Sequence, residues 1–103
     1  MIRLFLFIIL LFSVSKDRQT KNSDCSFKGY KLYGKIQYVD QFHDVKVQVV
    51  DKFPDLKVQI VDNFPDKCGK WQIVESFPDL KVQVVQSFPD IKIQYVEEFP
   101  GIP

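Results

Sequence analysis

The sequence predicts an all-β domain built from short repeats, on three observations. A phrase Lys-φ-Gln-φ-Val-x-x-Phe-Pro-Asp, with φ apolar, recurs six times between residues 35 and 101 with an eleven-residue step. Within each copy, apolar residues alternate with Lys and Gln, the period of a strand with one buried face. A proline near the end of most copies removes a backbone donor and fixes φ, so it ends the strand at a turn. We therefore expect about six short strands, one from each repeat.

Residues 1–15 have the pattern of a cleaved signal peptide. Arg3 supplies the positive start, residues 4–12 form an apolar run, and Ser13-Val14-Ser15 offers small residues for cleavage before Lys16. The run is nine residues long, whereas a helix needs about 20 to cross a bilayer. A retained membrane anchor is the alternative interpretation. The favoured one predicts an exported protein, periplasmic or extracellular, with no stable membrane anchor after cleavage.

The rest of the chain divides into a polar leader and one domain. Residues 16–24 are charged and polar, which is typical of a flexible segment. Residues 25–103 then form a single repetitive β-domain, near the size at which a core alone is marginal. The whole chain carries 14 basic and 13 acidic residues. This interspersed balance argues against nucleic acid as a partner.

Two cysteines, Cys25 and Cys68, are expected to form a disulfide. An even pair in a small exported domain is typical of one bridge, and two free buried thiols are the alternative. Cys68 lies where the spacing between successive repeat phenylalanines lengthens from eleven to thirteen residues, from Phe64 to Phe77. The bridge would join the start of the domain to this two-residue insertion.

Each repeat is expected to place its phenylalanine in the core. In the copy that begins at Val45, the strand is followed by a bend, and Phe53 then returns to the interior before Pro54 ends the unit. Eleven extended residues span only about 36 Å, too short for a full solenoid coil. Half-turns are favoured, with two repeats per turn and two small facing sheets. An antiparallel six-strand meander is the competing architecture.

The six copies, with the Cys68-Gly69-Lys70-Trp71 interruption, resemble the septoil-knot domain family of bacterial exported proteins. The resemblance covers about residues 25–103 and implies a small β-rich torus knot with seven crossings and no assigned activity. Two positions depart from the pattern, His43 in place of a proline and Gly101 in place of the last aspartate. The interchangeable repeats are compatible with a chain that winds twice around one axis.

Candidate catalytic or metal-binding residues are few. His43 is the single histidine and stands at a turn position, whereas a zinc site needs three or four convergent ligands. Aspartates recur after Phe-Pro or Phe-His, which allows calcium binding or paired-carboxylate hydrolysis. Capping of their own turns is the simpler interpretation. We expect no cofactor, no metal and no catalytic residue. The aspartates are Asp44, Asp55, Asp66, Asp79 and Asp90.

The outward side of the strands presents rows of Lys and Gln. Such rows could bind an acidic or sugar polymer, or they could simply keep the sheet soluble and its edges unpaired. Trp71 replaces a Val or Ile at an inward place and is expected in the core. The residues chosen as a possible binding face are Lys46, Gln48, Lys57, Gln59, Lys81, Gln83, Lys92 and Gln94.

The sequence therefore predicts a non-enzymatic exported structural or interaction domain, monomeric, whose partner it does not name. A carbohydrate- or polymer-binding module using the Lys/Gln face is the alternative function. Segments such as VQVV and VQIV are β-prone and locally uncharged. They keep a self-associating or fibre-forming role open as a further alternative.

Overall fold

The computed structural model describes residues 24–103, and within them all eight regular elements are β-strands. The expected signal peptide and almost all of the expected leader lie outside the described residues. The strands are β1 Ser26–Phe27, β2 Tyr30–Lys31, β3 Gly34–Tyr38, β4 Val45–Val49, β5 Leu56–Ile60, β6 Lys70–Ile73, β7 Leu80–Val84 and β8 Ile91–Tyr95. Strands β3 to β8 come from the six repeats, so the all-β repeat prediction is confirmed.

The six repeat strands are all parallel and close into one barrel in the order β3-β6-β5-β8-β4-β7. The antiparallel meander is therefore wrong, and so is the arrangement of two facing sheets. The physical reason is the connection between strands. Four of the five connections return the chain to a strand start two places further round the barrel, and the fifth, from β5 to β6, returns it to the start of the adjacent strand. A hairpin turn would instead reverse the chain beside the strand it leaves.

The chain winds around the barrel twice. Strands β3, β4 and β5 occupy alternate places in the barrel order, and β6, β7 and β8 fill the places between them. Three repeats thus make one circuit, where the sequence had suggested two repeats per turn. The thirteen-residue step falls between β5 and β6, which are direct neighbours. The two extra residues therefore lie where the chain passes from the first circuit to the second.

Residues at the same place in each repeat form rings around the barrel axis. Val45 lies opposite Val82, two residues beyond its repeat counterpart Leu80, and the other registers show the same offset. Such a constant offset is the stagger that tilted barrel strands require. Side chains facing the interior therefore meet in layers.

Two such layers fill the barrel and are buried. The central layer includes Trp71, which is 0% exposed, so its predicted core position is confirmed. Its indole nitrogen donates a hydrogen bond to the Leu32 carbonyl oxygen at 3.0 Å. The central layer is Ile36, Val47, Val58, Trp71, Val82 and Ile93, and the layer at the amino ends is Gly34, Val45, Leu56, Gly69, Leu80 and Ile91.

The amino ends of the strands are closed by the hairpin of β1 and β2. Cys25 and Leu32 are buried in the core cluster, and Phe27 packs against it. A disulfide joins Cys25 to Cys68, with their Cα atoms 5.8 Å apart, as predicted. The bridge ties this cap to the segment that links the two circuits.

Gly69, beside Cys68, has a conformation and a position that only glycine fits well. Its φ is +84°, and a Cβ there would overlap the backbone carbonyl oxygen of Lys57. Lys57 is in turn joined by two backbone hydrogen bonds, both 2.8 Å, to Gly101. The closing segment of the chain therefore packs backbone against backbone at this point.

Candidate functional site

The six repeat phenylalanines lie on the outside of the molecule, which overturns the prediction that they form the core. Their exposed fractions run from 79% to 90%. The sequence did carry a signal for this exposure. Polar residues stand on both sides of each Phe-Pro pair, and a corner flanked by polar residues usually faces water. We call this set the exposed phenylalanines: Phe42, Phe53, Phe64, Phe77, Phe88 and Phe99.

Loops that cross the outer surface of the barrel place five of these phenylalanines. Residues 39–44 leave β3 on one side of β7 and enter β4 on its other side. The interior is filled by buried side chains, so the loop passes outside β7. The same relationship holds for residues 50–55 over β8, 74–79 over β3, 85–90 over β4 and 96–101 over β5. The strand beneath each loop leaves the phenylalanine only the solvent side. Phe64 lies instead in the segment that joins the two circuits.

The backbone at every one of these phenylalanines is left-handed, with φ between 54° and 59°. A residue with a Cβ pays roughly 1–2 kcal/mol for this conformation, which glycine and asparagine adopt more readily. Exposure in water also gives a large aromatic side chain no burial energy. The residue before the phenylalanine varies through Gln, Lys, Asn, Ser and Glu, while the phenylalanine itself recurs in all six copies. Folding alone does not account for this choice.

The glutamines of the predicted binding face are occupied in holding the crossing loops. The Gln83 amide donates to the Asp40 carbonyl oxygen at 3.0 Å, across the loop over β7. Gln37, Gln48, Gln59 and Gln94 make the equivalent bond to Glu75, Gln86, Glu97 and Asp51. These amides are therefore structural contacts.

The lysines of the same face point outward from the strands, as predicted. Lys81 and Lys92 are exposed, whereas Lys46 and Lys57 are half-buried. Their backbone groups take part in the attachment of the loops described below. The use of this face to bind a polymer stays a prediction.

Four of the five repeated aspartates, Asp44, Asp55, Asp79 and Asp90, bind a different strand, and not their own turn as expected. The Asp55 carboxylate accepts from the Lys92 backbone N–H at 2.9 Å, and the Asp90 carboxylate accepts from the Lys46 N–H at 2.8 Å. Gly101 lacks a side chain, and its backbone carbonyl oxygen accepts the corresponding bond from Lys57. The departure from the repeat pattern at Gly101 therefore preserves the contact.

The carboxyl ends of the strands leave the barrel open to solvent as an apolar surface. The third inward-facing layer there is 38–47% exposed. Tyr38 and Tyr95 belong to β3 and β8, which lie on opposite sides of the barrel, and their hydroxyl oxygens share a hydrogen bond of 2.7 Å across this surface. Burial, and then the bond to Tyr95, raises the pKa of Tyr38, so this hydroxyl stays protonated. We call this surface the open mouth: Tyr38, Val49, Ile60, Ile73, Val84 and Tyr95.

His43 is exposed in the loop over β7. Within residues 24–103, no three His, Cys, Asp or Glu side chains are placed to hold a metal ion together. The same residues contain no helix long and apolar enough to cross a bilayer.

Comparison with known proteins places this geometry in a family. The model of the 7(1) septoil knot domain matches residues 29–103, which includes every strand of the barrel. The chain belongs to the septoil knot domain family. No curated protein matches the chain.

Membership of the septoil knot domain family agrees with the double winding of the chain. A closed curve that passes twice around an axis with its two passes entwined is a two-stranded torus knot, the class to which a 7(1) knot belongs. Cys25 lies four residues before the matched region, yet its disulfide and its burial make it part of the folded unit.

Proposed function

We propose that this septoil knot domain is a non-enzymatic interaction domain whose exposed phenylalanines contact a partner. The observation that carries the proposal is that all six repeats expose a phenylalanine in a left-handed backbone conformation. Backbone strain of this kind persists where the surrounding structure imposes it, and it is concentrated at binding and switch regions. Aromatic residues, phenylalanine among them, are also enriched at protein interfaces relative to the rest of the surface.

The barrel is well suited to present such residues rigidly. Each crossing loop is fixed at both ends, for example by the bonds from Gln83 to Asp40 and between Asp44 and Lys81. A preorganised loop loses little entropy on binding, so more of the contact energy remains as affinity. Because the five loops cross five different strands, the phenylalanines face outward in several directions around the barrel. One partner can therefore surround the exposed phenylalanines, or several partners can contact them at once.

We place this interaction outside the cytoplasm. The sequence of residues 1–15 predicts export, and a disulfide such as Cys25–Cys68 is compatible with an oxidising compartment.

Site-specific photo-crosslinking in the exporting cell tests the proposal. Benzoylphenylalanine replaces Phe53, Phe77 or Phe88 in turn, and the control proteins carry it at the preceding exposed residue, Lys52, Ser76 or Ser87. We expect a discrete crosslinked product from the phenylalanine positions and a much weaker one from the controls. Equal crosslinking at phenylalanine and control positions, or none at any phenylalanine position, would refute a role for the exposed phenylalanines.

A further inference from the structure

The open mouth is a second apolar surface, separate from the exposed phenylalanines. It makes the two ends of the barrel different. The cap hairpin covers the amino ends of the strands, whereas the carboxyl ends present six partly exposed apolar or aromatic residues. Together these six expose on the order of 400 Å², within the range of the largest patch on a typical monomer, which is often functional. The Tyr38 and Tyr95 hydroxyl groups meet across it, so it suits a chain segment laid over it better than a small molecule in a cavity.

Carboxylates surround this apolar surface. Two residues after each mouth residue, five of the six repeats carry an exposed acidic side chain, and the sixth carries Gln86. Lys52 and Glu98, which follow two of these positions, offset one another in charge. We call these side chains the acidic rim: Asp40, Asp51, Asp62, Glu75 and Glu97.

We propose that the open mouth binds a basic amphipathic segment of a partner protein, with its apolar side chains on the mouth and its Lys or Arg side chains at the acidic rim. The charge of the rim and the apolar centre together define this chemistry, because complementary charge selects partners and fixes their orientation. A mouth-to-mouth dimer would bring two acidic rims together. It would also bury only about half of the roughly 800 Å² per partner that a standard stable interface needs. A short segment fits both the area and the charge.

Binding of designed peptides to the purified domain tests this inference. The probes are three amidated twelve-residue peptides, one with Leu and Lys in an amphipathic pattern, one with Leu and Glu in the same pattern, and one with Ser replacing every Leu of the first. Fluorescence anisotropy measures affinity, and methyl NMR shifts of Val49, Ile60, Ile73 and Val84 locate the site. We expect the Leu/Lys peptide alone to bind and to shift these methyl groups.

Two sets of variants separate the mouth from other surfaces. Asp40→Asn/Asp51→Asn/Glu97→Asn keeps the backbone oxygens that the glutamines bind and removes three rim charges, so it should weaken binding of the Leu/Lys peptide at least tenfold. Phe53→Asn/Phe77→Asn/Phe88→Asn removes half of the exposed phenylalanines and should leave the affinity for the Leu/Lys peptide unchanged. Failure of the proposal for the exposed phenylalanines would therefore not affect this result.

Three outcomes would overturn the inference. They are equal binding of the Leu/Lys and Leu/Glu peptides, an affinity that the rim variant does not change, and methyl shifts outside the mouth. A fourth is concentration-dependent shifts of the mouth without peptide. These would show that another copy of this chain occupies the mouth.

Discussion

Asp44 and Lys81 are joined by two hydrogen bonds, although 37 positions separate them in the chain. The Asp44 N–H donates to the Lys81 carbonyl oxygen, and the Lys81 N–H donates to the Asp44 carboxylate, each at 2.9 Å. Asp44 begins the return of the first circuit to the barrel, and Lys81 belongs to the strand of the second circuit that its loop crosses. The aspartate of the repeat therefore binds one pass of the chain to the other.

Removing this type of carboxylate should destabilise the domain. Asp55→Ala leaves the Lys92 N–H without its acceptor, and because the site is exposed we expect a loss of about 1 kcal/mol. Asp51→Ala is the matched control, since Asp51 uses its backbone oxygen, not its carboxylate, to accept from Gln94. Urea denaturation measures both. Equal losses would mean that the carboxylate bond contributes nothing specific.

The glutamines should matter for stability more than the lysines beside them. In Gln83→Glu a carboxylate faces the Asp40 carbonyl oxygen and cannot donate to it, so we expect a loss of about 1–2 kcal/mol. Lys81→Ala, on the same strand and exposed, should change the free energy of unfolding by less than about 0.5 kcal/mol. The opposite order would show that Gln83 does not fasten the loop.

Replacing an exposed phenylalanine should not weaken the fold. Phe53 is 89% exposed with φ of 54°, a conformation that asparagine tolerates, so Phe53→Asn should be neutral or stabilising by up to about 1 kcal/mol. By contrast, Ile93→Ala empties a fully buried position and should cost about 2–5 kcal/mol. Thermal and urea unfolding measure the pair. A large loss of stability in Phe53→Asn would mean that the exposed phenylalanines contribute to the folded core after all.

The disulfide should stabilise the domain by constraining its unfolded chain. The bridge spans a separation of 43 residues, and Cys25→Ser/Cys68→Ser should cost roughly 2–5 kcal/mol. Mass analysis under non-reducing conditions should show one intramolecular bridge in the exported protein. Two free thiols, or a disulfide-linked dimer, would contradict this.

The double winding should slow both folding and unfolding. Each strand of the second circuit must enter between two strands of the first, so nearly all pairings are non-local and their loop entropy must be lost before contacts form. Denaturant-jump kinetics on Cys25→Ser/Cys68→Ser exclude any effect of the bridge. Single-phase refolding within milliseconds, with rapid unfolding, would contradict an entwined chain.

The sequence by itself determined the parts of this protein that depend on local periodicity. The alternation in each repeat predicts the strands and the inward position of Trp71, because side chains on a strand point alternately to its two faces. The prolines predict the ends of these units. The compartment and the even count predict the pairing of Cys25 with Cys68.

Only the tertiary structure determined which residues of each corner are buried and how the strands are joined. Eleven residues per repeat are compatible with several ways of returning to a strand start, and identical repeats carry no information about which copy lies beside which. Once the second circuit lies between the strands of the first, a loop must pass over each strand it skips. That crossing turns Phe53 and its four counterparts in the other crossing loops outward, commits Gln83 to the loop above it, and leaves an apolar mouth at the carboxyl ends of the strands. These contacts join residues 37 to 44 positions apart, a separation at which the pattern of a single repeat gives no indication of the partner.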